Sequence, residues 1–563
     1  MTDKKILELK NLTNEPKIAY FTMEIGLCEE IPTYSGGLGI LAGDATKSAA
    51  DLEIPFVAVT LLNHKGYFTQ ELTKGGRQIE HPVKWNPRKY LTPLPVTTEV
   101  HIHGRRIVIK PWLYTVRGAT GAKVHVIFLD TDLPENILKD RKISYFLYGG
   151  DAKYRLKQEI VLGVGGARIL KILGVDVKKY HMNEGHAAFL TLELLRMTNF
   201  NFEKTRSMSV FTTHTPVAAG HDQFDYNLVH EQMEPLVAPE LLKKIGGKDR
   251  LNMTTLAFNM SNYVNGVAKR HREISKKMFP GYEIHAITNG VHSYTWTHPA
   301  FQKLYNKYLP GWEAEPELFI RAPIIPNEEI WKARDRAKSE LIDYINRETG
   351  VGMKKDVLTI GFARRATAYK RHNFIFSDLK RLKEIAKKFP LQIIFAGKAH
   401  PRDLGGKKII KEVFQNIKKL KKDIKIVYLP NYNIEMAKKL TSGSDLWLNN
   451  PERPMEASGT SGMKAAHNGV INFSVLDGWW IEGFVEGVTG WAIGPGPEEK
   501  IKTNGAEKRE LDDLYNKLEY TILPMYYHRR DEWMEMMENS ISKIAYYFNT
   551  HRMMRRYVLY AYL

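Results

Sequence analysis

Residues 455–480, MEASGTSGMKAAHNGVINFSVLDGWW, hold one lysine, Lys464, between a turn of hydroxyl and glycine residues and an Asn-Gly break. A turn of this kind gathers backbone N–H groups and an amine around something anionic. The setting suits a covalently held aldehyde cofactor or a sugar phosphate better than open water. A second cationic stretch, residues 361–371 (GFARRATAYKR), starts where an apolar run ends and gathers Arg364, Arg365, Lys370 and Arg371. Guanidinium groups offer paired donors to phosphate oxygens. The competing reading is an ordinary solvated helix face.

Three further loops carry polar groups. Residues 34–44 (YSGGLGILAGD) place Gly36, Gly37 and Gly39 before an apolar helical run, as an anion cradle or simply a tight turn. The pattern is neither a dinucleotide fingerprint nor a P-loop. Residues 180–187 (YHMNEGHA) and 211–221 (FTTHTPVAAGH) bring Asn183, Glu184, His186, His214 and His221, and Asn289 lies in HAITNGVH. Hydrogen bonding to sugar hydroxyls explains this mixture better than a metal site, for which the spacing of a zinc-binding helix is missing. No metal is expected. Trp296, Trp479 and Trp480 either stack on pyranose rings or fill core.

These loops need a scaffold. Apolar runs at 17–23, 55–61, 124–129 and 207–213 read as strands, and 42–52, 156–173 and 187–197 as helices. A second alternating block starts at Asp356, with strands expected at 391–397, 425–429 and 445–448. Strands alternating with helices predict a mostly parallel α/β sheet in each block. The fold class is therefore two Rossmann-like domains facing a central cleft, residues 1–335 and 336–563. Loops at the strands' C-terminal ends would line that cleft. The tail from 522 reads as helices packing back on the first domain.

At 563 residues the chain exceeds one ordinary core. Lys plus Arg (82) outnumber Asp plus Glu (63), for a formal charge of +19. The excess raises nucleic acid as a partner, but zinc-finger spacing, KH loops and RNP patterns are absent, and the lysines recur on amphipathic faces. Cys28 is the one cysteine, which excludes an internal disulfide. The first residues, MTDKKILELKNL, lack a leader pattern, and no window is long and apolar enough to span a bilayer. A cytoplasmic protein without membrane or nucleic-acid partners is the expectation.

The motifs YSGGLGILAGD, YHMNEGHAAFL, FTTHTPVAAGHDQF, YVNGVAKRH, ITNGVH, RRATAYKR and EASGTSGMKAAHNGV, in this order, resemble the glycogen and α-glucan phosphorylase family in its short bacterial and archaeal branch. The resemblance implies the two-domain GT-B glycosyltransferase fold and a pyridoxal 5′-phosphate cofactor joined to Lys464 as an aldimine. By the same resemblance Arg364, Thr460, Tyr432, Asn433 and Gly37 surround that cofactor. Arg365 and Lys370 match the pair that binds the attacking inorganic phosphate, and with Lys464 and Glu456 make the implied catalytic set. Gly36, Gly37, Glu184, His214, Asn289, Tyr369, Glu456, Ser458 and Gly459 match substrate positions. The implied reaction is reversible, anomer-retaining phosphorolysis of an α-1,4-glucan to α-D-glucose 1-phosphate by a homodimer. Arg364 stands where animal enzymes have lysine, Asn433 where they have arginine, and His467 where leucine is common. The chain is also shorter than most of the family and lacks the extension that hosts phosphorylation and nucleotide control in animal enzymes.

Overall fold

The computed structural model describes residues 12–499 and 503–563; the stretch read above for a leader lies outside them, save its last residue. The described chain divides into two compact units. One comprises the chain up to Phe68, Pro82–Thr288 and Met553–Leu563; the other comprises Thr69–His81 and Asn289–Arg552.

The first unit is built on a ten-stranded sheet. Its spatial order is His285–Ala286, Tyr263–Gly266, Ser209–Thr212, Val177–Asn183, Lys17–Thr22, Phe56–Leu61, Lys123–Asp130, Arg105–Arg117 and Thr92–Pro93, with Thr98–Ile102 also paired to Arg105–Arg117. All pairings from His285–Ala286 to Lys123–Asp130 are parallel, and the remainder are antiparallel. KIAYFT and FVAVTL are buried at every position, as strands covered on both faces must be. Chain order reverses between Lys17–Thr22 and Val177–Asn183, so the loops after these two strands open a crevice.

The four expected strands of this block are all present. The expected helix at 42–52 starts earlier, as Gly37–Asp51, because the glycine loop itself forms its first turn. The run at 156–173 is three pieces: Ala152–Ile160, a wider π turn Val161–Gly165, and Gly166–Ile172. The C-terminal residues complete this unit. Tyr562 and Tyr557 hydroxyls reach His181 Nδ1 (2.7 Å) and Thr212 Oγ1 (3.1 Å), and Asn265 Nδ2 donates to Tyr557 (3.1 Å).

The second unit carries six parallel strands in the order Lys425–Leu429, Leu391–Ala396, Leu358–Ala363, Leu446–Asn449, Ile471–Val475 and Gly490–Ile493. The last two are not among the strands expected from the sequence. Here the order reverses between Leu358–Ala363 and Leu446–Asn449.

Apart from Thr69–His81, the unit begins at Asn289, well before the expected boundary at 335. Phe301, Tyr305, Trp312, Phe319 and Ile330 share one core with Leu358–Ala363 and the helices after residue 503, which ties the intervening segment to this side. The helix Asn327–Thr349, ended by left-handed Gly350, runs across the expected boundary. Its Arg334 and Lys338 hold the buried Asp445 at the start of a central strand. Of the terminal helices, those up to Arg552 belong to the second unit, and only Met553–Leu563 belongs to the first.

Candidate active site

In the second unit the strand reversal puts Arg364 just after Leu358–Ala363 and Asn449 at the end of Leu446–Asn449. Arg364 Nη1 donates to Asn449 Oδ1, and Nη2 donates to Glu456 Oε2 at 2.7 Å. Lys370 Nζ donates to the same Glu456 oxygen. Asn449 is itself oriented by its amide donating to Ser474 Oγ at 2.9 Å. One buried carboxylate oxygen is therefore shared by two buried cations.

Burial pushes the Lys370 ammonium down to about 7, helped by the Arg364 charge and opposed by Glu456. Burial also raises the Glu456 carboxyl, but the Lys370 and Arg364 charges outweigh it and hold the group ionised, below the usual range. Desolvation thus makes the lysine a group that gains or loses its proton near neutrality. Behind Glu456 sits Asp477, which accepts from the Glu456 N–H (2.9 Å) and the Gly478 N–H (2.9 Å). Burial first, then the Glu456 charge, raise Asp477 to about 7.

Arg365, expected to pair with Lys370, is exposed, although its charge still depresses Lys370. The Tyr369 ring lies under the Lys370 ammonium at 4.5 Å. Arg371 instead ties down the loop beyond Asn449: its guanidinium donates to Asn450 O (2.8 Å) and Pro451 O (3.0 Å) and pairs with Glu510 (2.7 Å). Ser458 is buried, and its carbonyl accepts from Trp479 N at 3.0 Å, which backs the turn through Gly459 and Thr460.

That turn leads into the short helix Ser461–Ala466, on which Lys464 is buried. Its ammonium lies 3.7 Å from the centroid of the Trp296 ring. Two clamps keep the indole there. Asn468 Nδ2 donates to both Lys464 O (3.0 Å) and Trp296 O (2.9 Å), while its Oδ1 accepts from His298 N (2.7 Å). His467 Nδ1 donates to Met463 O (2.8 Å), and Nε2 accepts from Ser293 Oγ (2.9 Å). Burial keeps that imidazole neutral, down to about 4. His467, a departure noted in the sequence, thus does a definite positioning job. Asn433 caps the helix Ile434–Gly443 by accepting from Met436 N at 2.9 Å, and the neighbouring Tyr432 phenol is raised by burial and lowered by the Arg364 charge. Asn289 is buried, its carbonyl accepts from Arg552 Nη2 (3.0 Å), and its Oδ1 has no partner among the described residues.

The first unit has its own polar cluster at its strand reversal. Glu24, after Lys17–Thr22, accepts from the Ser35 N–H, the Gly36 N–H (3.2 Å) and the Tyr148 hydroxyl (2.9 Å). The Gly36 donor expected for an external anion is thus taken by the chain's own carboxylate. A side chain at Gly39 would meet Glu24 Oε2 at 2.8 Å, whereas one at Gly37 would meet nothing within 4 Å. The open backbone of the loop is at Gly37.

Across the reversal, Glu184 accepts from Gly185 N (3.0 Å), His214 N (2.8 Å) and Thr215 Oγ1 (2.8 Å). His214 Nε2 donates to Asn183 Oδ1 (2.5 Å), whose amide is committed to Thr22 Oγ1 (3.1 Å). Burial first, then the neighbouring histidines, hold His214 neutral, leaving Nδ1 as an acceptor.

Residues 222–558 match the profile of the carbohydrate phosphorylases. Maltodextrin phosphorylase of Thermococcus litoralis is 41% identical, over 97% of this chain and 71% of that protein. Glycogen phosphorylase of Mycobacterium tuberculosis is 35% identical over 97% of this chain and 70% of its own length. For glycogen phosphorylase of Aquifex aeolicus the figures are 34%, 97% and 86%. The chain belongs to the carbohydrate phosphorylase family.

A carbohydrate phosphorylase is a glycosyl-transferring enzyme, and the resemblance drawn from the seven motifs holds. Among the described residues the candidate set gathers Arg364, Lys370 and Glu456 directly, with Ser458, Gly459 and Lys464 on the segment that follows. Sequence reasoning missed Glu24, Asn449 and Asp477. Glu24 and Asp477 are lone polar residues just past an apolar run and Asn449 ends one beside Asn450, which is the only signal each carries. Trp296 was left between stacking and core; it is buried, and its face is turned to Lys464.

Proposed function

We propose that this phosphorylase acts on α-1,4-glucans, removing the terminal glucose with inorganic phosphate to give α-D-glucose 1-phosphate. The observation that carries the reading is the buried Arg364–Lys370 pair on one Glu456 oxygen at the strand reversal. Two buried cations against one carboxylate leave donors for a phosphate. The glucan follows from the relatives, which are maltodextrin and glycogen phosphorylases.

Pyridoxal 5′-phosphate fits the residues present. Lys464 offers a buried amine against an aromatic wall, and Arg364 Nε is a buried donor without a partner among the described residues. When bound, the cofactor supplies a second phosphate that can exchange a proton and charge with the substrate phosphate. Lys464 anchors it, with Arg364, Thr460, Tyr432 and Asn433 around it.

Lys370 and Arg365 hold the inorganic phosphate and neutralise its charge. The phosphate gives a proton to the glycosidic oxygen as the C1–O bond breaks, and one of its oxygens then bonds C1 on the same face, retaining the anomer. Glu456, Ser458, Gly459, Tyr369 and Asn289 hold the glucose hydroxyls. A facing carboxylate pair, as in glycosidases, would repel the nucleophile. A cytoplasmic homodimer is part of the same reading.

Incubation of the purified protein with maltoheptaose and phosphate should release α-D-glucose 1-phosphate and a shortened glucan. Turnover only with a nucleotide sugar would mark a synthase of the same fold and end the proposal.

A further inference from the structure

The hairpin of Thr69–Leu72 and Gln78–His81 is made from the N-terminal part of the chain yet belongs to the second unit. Its two glutamines are buried. Gln70 and Asn431 exchange two hydrogen bonds: Gln70 N donates to Asn431 Oδ1 (3.1 Å) and Asn431 N to Gln70 Oε1 (2.9 Å). Asn431 is in the left-handed region (φ 55°), and Tyr432 and Asn433 follow directly. Gln70 Nε2 donates to Gly397 O (3.0 Å), which also accepts from the Tyr428 hydroxyl (2.9 Å), and to Gln78 Oε1 (2.8 Å). Gln78 closes a second two-bond pair with Ala399, accepting from its N–H (3.0 Å) and donating to its carbonyl (2.9 Å).

These loops abut the anion-binding segment. Gly397 has φ 148°, and a side chain there would lie 1.9 Å from Arg364 O. Arg364 N donates to Ala396 O (3.1 Å) and Ala366 N to Lys398 O (3.0 Å), so residues 396–398 template the backbone between Arg364 and Ala366. An amide side chain with both a donor and an acceptor is required at each glutamine, since buried backbone groups left unpaired are costly.

We infer that Gln70 and Gln78 are positioning residues for phosphate binding, fixing the 397–399 and 431–433 loops and through them Arg364 and Arg365. The inference rests on the phosphorolysis reading for its substrate, but not for its geometry. The glutamines touch no reacting group. They set where the cations point, and errors of about 1 Å in such placement cost about a hundredfold.

The test uses Gln70→Met and Gln78→Met, which keep size and lose the hydrogen bonds, with Tyr428→Phe as a milder change at Gly397 and Arg77→Ala on the exposed hairpin turn as control. Inorganic phosphate affinity is measured by calorimetry, alongside KM for phosphate, KM for maltoheptaose, kcat and melting temperature. The expected result is phosphate affinity weakened about tenfold or more in each glutamine variant, a smaller loss in Tyr428→Phe, and an unchanged glucan KM and Arg77→Ala protein. Folded variants with phosphate affinity within twofold of the parent overturn the inference, as does an equal loss of phosphate and glucan binding. If a glutamine variant does not fold, Tyr428→Phe decides on the same criterion. Absence of glucose 1-phosphate formation by the parent protein, with phosphate affinity still lowered in the variants, overturns the functional reading alone.

Discussion

The Lys464 ammonium rests on the face of the Trp296 indole, 3.7 Å from the ring centroid, with both side chains buried. A cation held this way gains about 0.5–2 kcal/mol and loses most of its freedom. The amine is aimed before any ligand arrives.

Lys464→Ala should therefore lose the cofactor's absorbance and its turnover together. In the parent protein, borohydride should fix the cofactor's mass on Lys464 and leave turnover, as the proposed anchoring role requires. Peptide mass mapping and an activity assay check both; loss of activity on reduction would refute the anchor role.

Lys370→Ala should keep the absorbance and lose at least about a hundredfold in kcat/KM, the scale of removing a charge-stabilising donor. Its pH profile adds a second check. With the free-enzyme ammonium depressed to about 7, phosphate binding should weaken as pH rises above that value. Lys370→Arg, charged throughout, should move this alkaline limb upward. An unmoved limb would assign it to another group.

Acid stability follows from the buried imidazoles. Burial lowers His372 to about 3 and His271 and His467 to about 4, while an unfolded histidine titrates near 6.5. Between those values the unfolded chain binds protons that the folded chain does not, so stability falls as pH drops from about 6.5 toward 4. His467→Leu should make the fall shallower by one proton while costing about 1–3 kcal/mol at neutral pH for the partners it abandons. Parallel pH–melting curves for the two proteins would contradict this.

Gly397→Ala should be among the most damaging single-atom additions in the second unit. The new methyl meets the Arg364 carbonyl at 1.9 Å in a backbone conformation that favours glycine. Residual protein should melt lower and bind phosphate poorly, measured by calorimetry; parent-like binding would show that the loop relaxes without moving Arg364.

Much of the scaffold was legible because parallel strands buried on both faces are mostly apolar, as in KIAYFT and LQIIFA. Lys464, Lys370 and Glu456 were legible because their motifs are local. The boundary was not. Residues 289–335 fall in the first block by the expected boundary, yet Trp312 and Phe319 bury that segment in the second core. Nor was the fate of Gly36 N–H, since Glu24, which takes it, belongs to a different loop. Arg364 and Arg365 are adjacent and alike in sequence, and only the bend just past Leu358–Ala363 decides that Arg364 turns in toward Glu456 while Arg365 is exposed.

His181, Thr212 and Asn265 lie mid-chain, but their hydroxyl partners are Tyr557 and Tyr562. On the ribosome these polar atoms emerge long before the tyrosines that satisfy them. The first sheet can collapse early, yet it stays incompletely paired until residues 557–562 have been made. Synthesis of that segment, rather than the completion of the sheet's own strands, is the event that lets this unit settle.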